Sequence, residues 1–162
     1  MIDLRLACIA ACASLLFASC QNASKPVIQR IRDGQALSSY SLHSMSGMRD
    51  GDNLRARVVF AGDNSTLTMD LRFRLGVPTR LESGKYLWEQ GNQITRGNVT
   101  ARSVTFLGGQ SGQPSIGGVF ELQSSDVSLY EIRLPSHELT PGMDLSLEPG
   151  TPPPPFGERR SE

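Results

Sequence analysis

Between Leu54 and Leu75 the chain alternates strictly between apolar and polar side chains. Leu54, Ala56, Val58 and Phe60 interleave with Arg55, Arg57, Val59 and Ala61, and after Gly62-Asp63-Asn64-Ser65 the alternation resumes with Leu67, Met69, Leu71, Phe73 and Leu75 against Thr66, Thr68, Asp70, Arg72 and Arg74. A period of two is the signature of a strand with one buried and one wet face. Two such runs around a short Asp/Asn turn predict a β-hairpin. With Asp63 and Asn64 at the turn centre, Leu54 faces Phe73, Ala56 faces Leu71, Val58 faces Met69 and Phe60 faces Leu67. Every inward pair is then apolar, whereas a slip of one residue would set arginines against the apolar face. On the wet face Arg57 meets Asp70, a favourable pair, and Arg55 meets Arg72, an unfavourable one. A sheet of this kind must bury its apolar side against something else, and that requirement governs the rest of the fold.

Residues 26–33 fit two descriptions. Val27, Ile28 and Ile31 share a helical face ahead of Gly34, and the same stretch also fits an irregular first strand. From Leu37 to Met45 the period is two, followed by a turn-rich break at residues 47–53. A loop containing Pro78 is expected at 76–84. Further strands are expected around Tyr86 and Trp88, over 98–107 with Val104 and Phe106 on one face, over 119–123, over 127–134 ending at Pro135, and at Met143, Leu145 and Leu147. Seven or eight short strands separated by turn signals predict an all-β domain over residues 26–148. The expected form is an antiparallel β-sandwich, with a small closed β-barrel as the alternative. Residues 149–162, with Pro152 to Pro155, read as a Pro-rich disordered tail.

The N-terminal segment has a different character. Arg5 precedes an apolar run from Leu6 to Phe17, then Ala18-Ser19 and Cys20. The run is of export-signal length and shorter than the roughly 20 residues a membrane span needs. Leu16-Phe17-Ala18-Ser19-Cys20 resembles the lipobox of bacterial lipoproteins, although Phe17 stands where that class usually has Leu. The resemblance implies a signal peptide at residues 1–19, acylation of Cys20, and a lipidated tether at 20–25. It also implies, through Gln21 in place of Asp, an outer-membrane location facing the periplasm. Cys8 and Cys12 fall inside the leader, so the mature chain would keep Cys20 alone and no disulfide. One acyl chain anchors only marginally, and the several chains of that class anchor firmly.

Sixteen basic and sixteen acidic residues leave no net charge. A neutral chain has no general pull on nucleic acid, and none is expected as a partner. The only histidines are His43 and His137. They do not suggest a zinc site or a Ser-His-Asp set, and no cofactor, metal or catalytic residue is expected. The Asp50, Asp52 and Asp63 turns lack the spacing of a calcium loop. Two features remain as binding candidates. The wet-face arginines Arg55, Arg57, Arg72 and Arg74 suit an acidic glycan, a lipid headgroup or an acidic protein. The stretch 108–118, with Gly108, Gly109, Gly112, Gly117 and Gly118, reads as a flexible docking loop. Tyr86 and Trp88, two apart on a strand, fit a core better than a sugar platform. The expected function is a non-catalytic binding or accessory module of the cell envelope, anchored through its lipid, with an envelope protein or glycan as partner. A small-ligand carrier for lipid or glycan is the alternative, and an envelope hydrolase comes behind both.

Overall fold

The structure is a computed structural model that describes residues 25–108, 113–125 and 127–142. Nine strands follow one another in the chain: β1 (Val27–Arg30), β2 (Ser41–Asp50), β3 (Asn53–Gly62), β4 (Ser65–Arg74), β5 (Arg80–Gln90), β6 (Gln93–Gly108), β7 (Pro114–Ser124), β8 (Val127–Glu138) and β9 (Thr140–Pro141). All belong to one sheet, in the order β1-β8-β7-β6-β5-β4-β3-β2-β9. From β2 to β8 each strand pairs with the next in an antiparallel meander. β1 returns to the free edge of β8, and β9 pairs with β2 in parallel, so the sheet is mixed. The sheet is strongly curled and forms a half-barrel.

The β3–β4 hairpin has the expected register throughout, including Leu54 opposite Phe73, Phe60 opposite Leu67, Arg57 opposite Asp70 and Arg55 opposite Arg72. Asn64 takes a positive φ of 50° in its turn, a conformation that Asn tolerates and tight hairpin turns demand. Leu54, Ala56, Val58, Phe60, Leu67, Met69 and Phe73 have no exposed surface at all.

The curl is visible in ring contacts between distant strands. Phe73 of β4 and Phe120 of β7 stand edge to face with centroids 6.3 Å apart. Strands sit about 4.8 Å apart, so in a flat sheet β4 and β7 would be roughly 14 Å apart. Trp88 of β5 likewise meets Tyr130 of β8 at 4.7 Å, and Tyr40, ahead of β2, at 5.5 Å. Two devices bend the sheet. Register shifts occur in β2 between Leu42 and Ser44, in β4–β5 at Arg72/Phe73, in β6 between Ala101 and Ser103, and in β7 between Ile116 and Gly118. Such bulges bend a strand and increase its twist. In addition, β5 and β6 pair only from Lys85–Asn98 to Gln90–Gln93. Beyond that point the two strands part, and the halves of the sheet close over a shared core.

Of the two descriptions open for residues 26–33, the strand holds over 27–30, because Ile28 pairs with Ile132 and is only 3% exposed. The chain then folds back on β1, with Arg30 N donating to Gln35 O and Leu37 N to Ile28 O. Several boundaries differ from expectation. The expected break at 47–53 shrinks to a turn at Gly51-Asp52, since β2 continues to Asp50 against β3. The expected loop at 76–84 shrinks to residues 75–79, with a cis Val77–Pro78 bond, because β5 begins at Arg80. β8 continues through Pro135 to Glu138; the proline sits at the bulge, where a missing N–H is tolerated. The expected strand around Met143 to Leu147, the leader, Cys20 and the tail lie outside the described residues.

Candidate functional site

The wet face of the β3–β4 hairpin carries the most distinctive chemistry. Arg57 and Asp70 form a bidentate pair, with Nε to Oδ1 at 2.6 Å and an Nη2 to Oδ2 bond of 3.1 Å. Their side chains are only 19% and 16% exposed, so this arginine serves the sheet. The other three arginines of the expected face are different. Arg55 lies directly opposite Arg72, and Arg74 lies directly opposite Arg80 at the start of β5. All four are exposed. Among the described residues none of these four has a carboxylate within ion-pair distance, whereas Arg30, Arg57, Arg102 and Arg133 each have at least one. Like charges directly opposite one another across a ladder destabilise it. Two such pairs side by side concentrate positive charge where an anion would relieve the repulsion.

These arginines sit at one end of the sheet. That end also carries the β4–β5 loop, whose Val77 is fully exposed, and Met48, 42% exposed and paired with Arg55. Arg49 joins them, its Nε donating to Gly51 O at 3.0 Å. Asp50, Asp52 and Glu82 are the nearby acids in sequence. Leu75 N donates to Asp52 O and ties the loop to the β2–β3 turn. Arg80 falls inside the loop that the sequence predicts at 76–84, where alternation gives no strand position for it. Its signal was the mirror relation of Arg80 to Arg74 across a short turn.

The glycine-rich stretch is not one docking loop. Gly108 ends β6 opposite Pro114, and Gly117 and Gly118 lie within β7. Gly118 has φ 151°, and a Cβ there would collide with the Ser103 carbonyl oxygen. A Cβ on Gly117 would lie 2.7 Å from Ser136 N and 2.8 Å from Leu134 O. Both positions lack a side chain because backbones crowd them at the bulge. Gly109 and Gly112 lie outside the described residues.

Tyr86 and Trp88 are core residues, 4% and 5% exposed. Trp88 Nε1 donates to Tyr40 Oη at 2.7 Å. Burial raises the Tyr86 phenol above its usual range, and the neighbouring Tyr130 adds to this. On the outer side of β8, Glu131 is buried at 5%. It accepts hydrogen bonds from Arg133 at 2.8 Å, Arg102 at 2.9 Å and Gln29 at 2.9 Å. The Arg133 bond holds this carboxyl below the usual range, with help from Arg102 and against the cost of burial. Arg102 also reaches Glu121 at 3.1 Å, so the cluster ties β6, β7 and β8 together.

A groove of about 790 Å³ opens between β1, the segment after it, β2 and the exit of β8. Val27, Leu37, Leu42 and Met45 line it, and so do both His43 and His137. Nδ1 of His137 lies 2.9 Å from Pro135 O. Among the described residues neither histidine hydrogen-bonds a hydroxyl or a carboxylate, and no group of three or more His, Cys, Asp or Glu is placed to hold a metal. Nor is any helix among them long and apolar enough to cross a membrane. No protein-family model, curated protein or solved structure matches the chain.

Proposed function

We propose that the chain is a lipid-anchored protein of the cell envelope, facing the periplasm from the outer membrane, and that it acts as a non-catalytic binding or accessory module. Its anchor is Cys20, following the lipobox-like Leu16 to Ser19. The observation that carries the binding role is the unneutralised arginine set Arg55, Arg72, Arg74 and Arg80 on three adjacent strands. A sheet needs no such cluster for solubility, and guanidinium groups in a row suit an anionic partner. The curled sheet serves as an incomplete barrel that presents this surface. Its continuous strand order, with β9 following β8 after Leu139 alone and pairing with β2 toward the other end of that order, supports a barrel over a sandwich.

The test is affinity capture with crosslinking from native membranes, alongside the mass of the mature N-terminus. An N-terminal acylated Cys20 and an anionic envelope partner, whether protein, glycan or lipid, that is lost on Arg72→Gln/Arg74→Gln are the expected results. An unmodified Cys20, or capture indifferent to the arginines, overturns the proposal. A second reading, a carrier for a small lipid or glycan, draws support from the groove beside β1. Native mass spectrometry of the protein extracted from its membranes tests it, and a bare protein mass counts against it.

A further inference from the structure

The geometry points to a specific ligand for the arginine-bearing end: the phosphate groups of an anionic lipid bilayer, with the β4–β5 loop entering the interface. This inference deepens the proposed function, and its placement at an envelope membrane rests on that reading. Its phosphate binding does not.

Two observations converge. The first is charge. Arg55–Arg72 and Arg74–Arg80 are two cross-strand pairs of like charge, exposed and without carboxylate partners among the described residues. Arg49 adds a fifth cation at the rim, against Asp50, Asp52 and Glu82, so the end keeps a positive balance. Guanidinium groups bind phosphate oxygens in a fork, and each basic group near an anionic surface strengthens binding roughly fivefold.

The second observation separates a bilayer from a soluble polyanion. Val77 is 106% exposed at the tip of the loop joining the two arginine-bearing strands, and Met48 is 42% exposed beside Arg55. A phosphorylated polymer in water has no use for an apolar tip. A bilayer interface takes up both the apolar tip and the cations around it.

The experiment uses the chain from Gln21 onward, which retains every core residue between Ile28 and Leu139. Sedimentation with phosphatidylglycerol vesicles is compared with phosphatidylcholine vesicles and with heparin in solution. We expect binding to phosphatidylglycerol and not to phosphatidylcholine, with heparin bound more weakly through the arginines alone, and all binding weakening with salt. Arg72→Gln/Arg74→Gln/Arg80→Gln should lose about a hundredfold in vesicle affinity, from roughly fivefold per arginine. Val77→Ser should lose about fivefold on vesicles, the cost of leaving part of a valine in water, and nothing on heparin. Arg32→Gln, an exposed arginine on the turn after β1, should bind as the parent does. The thermal midpoint of each variant shows that it is folded. Equal binding to both lipids, heparin binding without vesicle binding, or a triple variant that binds like the parent overturns the inference. So does Val77→Ser weakening heparin and vesicles alike. Failure here with an acylated Cys20 leaves the envelope proposal standing, and an unmodified Cys20 with intact vesicle binding does the reverse.

Discussion

Phe73 and Phe120 offer a direct measurement of the curl. They belong to strands with two others between them in the sheet order. Their rings nevertheless stand 6.3 Å apart at an interplanar angle of 69°. Replacing either by Leu keeps an apolar side chain and removes the ring, at about 1–2 kcal/mol each when the site relaxes partly. An edge-to-face aromatic pair contributes a further 0.5–1.5 kcal/mol or so beyond its buried area. The double variant should therefore cost less than the sum of the singles, by about 1 kcal/mol. Residues more than about 7–10 Å apart with no shared partner add to within about 0.5 kcal/mol. In a flat sheet these two would be such residues. The assay is urea unfolding followed by fluorescence of Trp88, the only tryptophan, which is buried against Tyr40 and Tyr130. With an unchanged m-value, a coupling near 1 kcal/mol separates the midpoints clearly. Strict additivity, within about 0.3 kcal/mol, would show that the rings do not meet and would refute the closure of the sheet over one core.

Other outcomes follow from particular contacts. Glu131→Gln should destabilise the fold by about 1–2 kcal/mol near neutral pH, because charged hydrogen bonds are lost while Arg102 and Arg133 stay largely exposed. The folded-state pKa of Glu131 is lowered, so its contribution is present above the unfolded carboxyl range near 4.3 and fades as pH falls through the folded value. Denaturation curves of parent and variant should therefore converge at acid pH; a gap that stays constant with pH would contradict this. Gly118→Ala should cost about 2–4 kcal/mol, since the new Cβ meets the Ser103 backbone at a φ that L-residues avoid. A thermal midpoint unchanged from the parent would mean that the bulge is not formed. A double-mutant cycle on Arg57 and Asp70 should give a coupling of about 1–2 kcal/mol, above the usual exposed pair, for a bidentate and mostly covered contact. The same cycle on Arg55 and Arg72 should give zero or the opposite sign, and equal couplings would remove the distinction between the two.

The β3–β4 hairpin was legible residue by residue because its two faces differ so sharply in chemistry that only one register keeps arginine out of the core. Legibility failed where parity breaks. Leu42 and Met45 both point inward across the irregularity at His43, and Val99 and Val104 do so across the one near Arg102. A bulge adds a single residue, which alternation read from one strand cannot distinguish from the strand's end. β1 was ambiguous for a related reason. Four residues hold too few periods to separate 2 from 3.6, and the pairing of Ile28 with Ile132 decides the matter from more than a hundred residues away. Residues 47–53 and 108–118 read as long breaks because Gly and Asp mark turns. Yet strands that pair on both sides carry glycine wherever another backbone comes close, as Gly117 and Gly118 do.

The candidate site was half legible for the same physical reason. Arg55 opposite Arg72 followed from the hairpin register alone, and by itself a single like-charge pair is a small, tolerable cost. What changes its meaning is the next ladder. β5 starts at Arg80 and sets it against Arg74, so the repulsion doubles and spans three strands with no acid opposite. Asp70 shows that the same face accepts a carboxylate where one suits the sheet, and it neutralises Arg57 there. Its absence one and two pairs further along therefore separates the arginines that hold the fold from those that face outward. Position then distinguishes among anions. The four exposed guanidinium groups lie at the end of the sheet whose β4–β5 loop exposes Val77. A ligand that satisfies the charges alone would leave that valine in water, and a phosphate-bearing bilayer would not.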